Sequence, residues 1–138
     1  MGEVQDLRPK QPESEKLTIN MGFVDLGGID LLVKEGFYSN RSDFIRTAVR
    51  NQLQQHGETI KQSVSRQQID LGLRRYDAAD LEALRAAGQR LDLQVLGLLV
   101  IAPDVTPELA RATIAAVRVL GAFQASAEVK TALRDRIR

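Results

Sequence analysis

Three polar side chains stand at alternate positions in the stretch EKLTINM, where Lys16, Thr18 and Asn20 offer an ammonium, a hydroxyl and a carboxamide. On an extended backbone successive side chains point to opposite faces, so these three share one face and Leu17, Ile19 and Met21 share the other. Such a face recognises by hydrogen bonding and does not make or break bonds. Residues suited to catalysis are scarce. The chain has one histidine, His56, and no cysteine, and its acidic residues are scattered. No nucleophile lies at a recognisable spacing from His56, and no phosphate loop or metal motif is present, so an enzyme is the least favoured class and neither cofactor nor metal is expected.

A lone amphipathic strand must be completed by something. Its backbone donors and acceptors need partners, and no second strand comes within hairpin reach, so the pairing strand is expected from another copy of the chain. Beyond Met21 the pattern turns helical. Residues 25–35, DLGGIDLLVKE, place apolar side chains at 26, 29, 32 and 33, and Gly36 supplies a stop. Gly27 and Gly28 weaken that helix by roughly 1 kcal/mol each relative to alanine. A second helix is predicted from Arg41 to about Gln55, with Asn40 as N-cap and Asp43 three residues on in a capping-box-like pair. Phe44, Ile45, Ala48, Val49 and Leu53 fall on one face of it.

The chain has 138 residues, 43% hydrophobic and 27% charged, enough for one ordinary domain or two small ones. Absence of cysteine excludes a disulfide framework, a thiolate nucleophile and zinc-finger chemistry, and is compatible with a reducing cytoplasm. Residues 1–15 are charged and proline-containing, with no apolar run to serve as a signal peptide or membrane span; a disordered leader and a cytoplasmic, nucleoid-associated protein are expected. Net charge is +1, which does not by itself announce a nucleic-acid binder. Lys16, Arg41, Arg46 and Arg50, with Asp43 as their one acidic neighbour, nevertheless allow a local basic surface.

Residues 57–65, GETIKQSVS, are polar without a clear period and read as a linker. Beyond it Leu71-Gly72-Leu73, Leu96-Gly97-Leu98 and Leu120-Gly121-Ala122 recur at glycine spacings of 25 and 24, each leading to a capping residue and a helical pattern: Asp77, Thr106 and Ser126. Residues 66–138 are therefore expected to form three β-α repeats with consecutive parallel strands covered by helices, a short solenoid-like array. The recurring glycine reads as close backbone packing in a strand. Val95 to Ala102, apolar almost throughout, reads as a strand buried on both faces.

The order strand, helix, turn, helix over residues 16–56 resembles a ribbon-helix-helix DNA-binding domain of the kind found in plasmid copy-number repressors and many bacterial autorepressors. Gly36 to Arg50, GFYSNRSDFIRTAVR, is its most specific part, similar to the pattern Gly-x-Tyr-x-Ser-Arg-Ser-Glu-x-Ile-Arg-x-Ala with Asn40 in place of a serine and Asp43 of a glutamate. Both replacements keep the capping chemistry. The resemblance implies a mixed α and β fold in which two chains pair their strands into a ribbon and intertwine their helices. It also implies a ribbon that enters the major groove of double-stranded DNA, with Lys16, Thr18 and Asn20 on base edges and Leu17, Ile19, Met21, Phe44, Ile45 and Val49 in the dimer core. Asn40, Arg41 and Ser42, at a helix start whose free amides favour an anion, would take a phosphate, with Arg46 beside them.

A homodimeric transcriptional regulator of the autorepressor kind is the expectation, with few phosphate contacts per dimer and hence a need for neighbouring dimers, joined through residues 66–138. Three rivals stand beside it. A nickel sensor needs several imidazole or thiolate ligands, and His56 is alone. An antitoxin with a toxin partner would carry a polar tail that stays disordered until bound, unlike these repeats. A partition or structural protein forming filaments on DNA differs by assembly length and genetic context. No membrane partner is expected, and an effector of the C-terminal unit is left open.

Overall fold

A computed structural model describes residues 14–138, so most of the leader, residues 1–13, lies outside the described residues. Two compact units meet in the chain at residues 65 and 66.

In the N-terminal unit, helix α1 (Phe23–Lys34) precedes α2 (Arg41–Gln55) and α3 (Gly57–Arg66). The first ends as its glycine requires. Gly36 sits at φ +87, and the amides of Gly36 and Phe37 return to the carbonyls of Val33 and Leu32 in a double-bonded left-handed cap. Nothing lies within 4 Å of a Cβ built on Gly27 or Gly28, so no contact within the chain demands that pair. Helix α2 has the predicted bounds. Residues 57–65 do not form an irregular linker: the Ile60 amide bonds back to the His56 carbonyl at 3.0 Å, and α3 begins there. Ile60 and Val64, four apart and half-buried, supply the helical period that polar neighbours masked.

The C-terminal unit alternates β1 (Asp70–Tyr76), α4 (Ala78–Ala86), β2 (Leu91–Ile101), α5 (Pro107–Thr113), β3 (Ile114–Gln124) and α6 (Ala127–Ala132), then a 3-10 turn at Arg134–Arg136. The strands form one parallel sheet in the order β1-β2-β3, as the repeat predicts. All three predicted caps form: Asp77 accepts from the Asp80 amide at 2.8 Å, Thr106 from Leu109 at 3.2 Å and Ser126 from Val129 at 3.2 Å. One boundary differs. The helical pattern after Thr106 predicts a helix running on through Ile114 to Val117, but the helix stops at Thr113 and those residues open β3. Eleven residues of β2 present a ladder of unpaired groups, and pairing Leu91 to Val100 with Ile114 to Gln124 satisfies it.

The three glycines fall opposite one another, Gly72 to Gly97 to Gly121. Their φ angles are +112, +136 and +125, and a Cβ on Gly97 or Gly121 would overlap the carbonyl oxygen of the preceding strand's glycine. Close backbone approach is thus the reason for the repeat. Leu93, Val95, Leu99 and Ile101 of β2 and Val117 of β3 pack with Leu81, Leu109 and Val129 of the helices into the core. Each such side chain contributes about 1.5–3 kcal/mol on burial. The intervening residues do not join it: Leu96 and Leu98 are half-buried, while Leu71, Leu73 and Leu120 are exposed. Strand β2 is therefore covered along its length on one face, while on the other Val100 is buried and Leu96 and Leu98 are half-buried.

Candidate nucleic-acid interface

Residues 15–22 precede α1 and pair with no strand among the described residues. Lys16, Thr18 and Asn20 are all exposed, and so are two of the three apolar residues between them, Leu17 at 81% and Ile19 at 62%. Met21 is half-buried. It lines a groove of about 450 Å³ with Val24, Gly28, Ile29, Leu32 and Phe44. Apolar exposure continues along the helices at Phe23, Val24, Leu31, Val49 and Leu53 and in the turn between them at Phe37. In the N-terminal unit, among the described residues, Ile29 alone is buried. Of the expected dimer-core set, Phe44 and Ile45 are half-buried and Val49 is 51% exposed.

The start of α2 is ordered by local bonds. The Asn40 side chain accepts from the Asp43 amide at 2.8 Å, and the Asp43 carboxylate accepts from the Ser39 amide at 2.9 Å. The reciprocal half of the box is thus shifted one residue upstream of the cap. Tyr38 and Phe44 pack edge to face with ring centres 5.0 Å apart, fixing the turn into the helix. The amides of Arg41 and Ser42 have no acceptor among the described residues, which leaves two donors directed out of the positive end of a fifteen-residue helix.

Arg41 is engaged in a way its sequence position does not reveal. Its Nε and Nη2 donate to the two oxygens of Asp30 on α1, both at 2.8 Å. This fork ties the two helices together. The hydrogen bond from Arg41 holds the Asp30 carboxyl below the usual aspartate range. Asp30 is the residue that reading the sequence overlooked, and no local signal marks it, since the pair spans eleven positions. Ser42, Arg46 and Arg50 are exposed, and no ion pair engages either arginine among the described residues. His56 ends α2, exposed, beside Gln52 at 3.4 Å. No group of three or more potential metal ligands exists among the described residues, and no helix there is long and apolar enough to cross a membrane.

A polar edge, a helix start with two open amides and a basic stripe at Arg46 and Arg50 suit an anionic, hydrogen-bonding polymer, while the apolar groove suits protein. Residues 12–130 match the family model described as the Ribbon-Helix-Helix transcriptional regulator family. No curated protein and no solved structure matches the chain.

Proposed function

The chain belongs to the ribbon-helix-helix transcriptional regulator family, and from that premise we propose that it is a sequence-specific, homodimeric DNA-binding repressor of its own promoter. One observation carries the reading: an N-terminal unit with a single buried side chain exposes Leu17, Ile19 and the apolar sides of two helices. A unit of that kind is completed by a second copy. In the proposed dimer residues 16–21 of the two chains pair as an antiparallel ribbon. Leu17, Ile19 and Met21 turn inward against Phe44, Ile45 and Val49 of intertwined helices.

Lys16, Thr18 and Asn20 then line the outer face of a ribbon that fits the major groove. Lysine donates to guanine O6 and N7, asparagine pairs with adenine N6 and N7, and threonine bonds or packs a methyl against thymine. The open amides of Arg41 and Ser42 take a phosphate at the end of α2, with Asn40 shaping that end through its cap and Arg46 adding charge. The Arg41 side chain, forked onto Asp30, sets the angle of α2 and leaves phosphate binding to its backbone. The three β-α units of residues 66–138, a short stacked array, add contacts between copies of the chain beyond the ribbon, at the nucleoid.

Footprinting on the chain's own promoter at two salt concentrations tests this reading. A protected site that weakens steeply with salt is expected, and its base preference should relax in Lys16→Ala and Asn20→Ala while the dimer persists. Protection unchanged by either substitution would remove the ribbon from the interface.

A further inference from the structure

One face of the C-terminal sheet carries a row of leucines outside the helix-packed core. Register sets Leu71, Leu96 and Leu120 in one row across the three strands and Leu73, Leu98 and Ala122 in the next. None of the six belongs to the helix-packed core, and Leu71 and Leu73 are 64% and 52% exposed. All-parallel sheets are otherwise covered on both faces. On the β3 edge the amide of Arg138 already bonds the Val117 carbonyl at 2.8 Å.

We propose that this face stacks on the same face of a second copy of the chain, which rests on the dimeric regulator described above. Area selects that occupant. Three strands about 4.8 Å apart and five residues of about 3.3 Å make a face of a few hundred Å², short of the roughly 1,200 Å² total of a free-standing interface. A stranger has too little to hold. A copy tethered through its N-terminal unit arrives at an effective concentration in the millimolar range, where so small an apolar face suffices. The chain's own leader is a poor cover, since residues 1–13 hold only Met1, Val4 and Leu7 as apolar side chains besides two prolines.

The cysteine-free chain allows a clean test with a short bis-maleimide. In the full-length protein Leu96→Cys should cross-link to a covalent dimer roughly tenfold or more faster than Glu82→Cys, which lies exposed on α4 outside the face. Adding Leu71→Lys and Leu120→Lys, both at exposed positions, should abolish the difference while the protein stays folded. Equal rates at Leu96→Cys and Glu82→Cys overturn the proposal, as does cross-linking that emerges only after residues 1–13 are deleted. DNA binding by the same protein separates the two readings. Retained binding without cross-linking sinks the stacked face and spares the regulator, whereas cross-linking without DNA binding supports the face and sinks the regulator.

Discussion

At the level of single residues, the bond between Arg41 and Asp30 decides how the candidate interface is held. A guanidinium that gives two hydrogen bonds to a carboxylate is oriented, and an oriented Arg41 fixes where the open amides of α2 point. The same bond sets the sign of the pH dependence. Asp30 is held below the usual aspartate range by the Arg41 hydrogen bond, so its stabilisation is present above about pH 4 and is lost as pH falls through the lowered folded value. Thermal midpoints of wild type and Asp30→Asn should therefore differ at neutral pH and converge in acid; a difference that persists below the aspartate range would place the effect elsewhere. In DNA binding, Asp30→Asn should weaken all sequences alike without lowering the salt slope, because it releases a cation and removes none. Arg46→Ala should reduce that slope by about one if it meets a phosphate. Asn40→Ala should cost about 1 kcal/mol of stability through its lost cap. The Asn40 cap was legible in the sequence because cap and amide are three residues apart. The Arg41 fork was not, because the packing of α1 on α2, and not spacing, chooses Asp30.

At the level of elements, glycine separates conformational demand from contact. Gly97 and Gly72 share a positive φ, yet only Gly97 has a neighbouring carbonyl in the path of a Cβ, while Gly72 faces open space on the edge strand. Gly72→Ala should then cost backbone strain alone, on the order of 1–3 kcal/mol. Gly97→Ala should add the clash and cost clearly more, and equal denaturant midpoints for the two would refute that division. Gly27 has helical backbone and nothing within 4 Å, so Gly27→Ala should stabilise α1 by up to about 1 kcal/mol. The repeat and its caps were readable from one chain because period, glycine and capping side chain are local signals. Where α5 yields to β3 at Ile114 was not, since the helical pattern continues through that point and only the length of β2 overrides it. Helix α3 escapes a sequence reading for a similar reason, two apolar residues being too few to show a period.

At the level of the whole molecule, the two units differ in what can hold them up. The C-terminal unit encloses Leu81, Leu99, Ile114, Val117 and Leu133 completely, whereas among the described residues the N-terminal unit buries Ile29 alone and leaves Leu17, Ile19, Phe23, Leu31 and Leu53 to solvent. A unit that gains its core only by pairing has a stability tied to concentration, by mass action. Melting monitored at dilutions spanning two decades should thus show a transition that moves to higher temperature as protein concentration rises. Ile19→Asp, at a position 62% exposed in the single chain, should abolish that shift, because a carboxylate entering the paired ribbon's apolar face has no partner there. The same substitution in a unit that stands alone would touch only water and change nothing. A concentration-independent midpoint in wild type, or an Ile19→Asp protein that melts like its parent, would mean that residues 16–21 stay unpaired in solution.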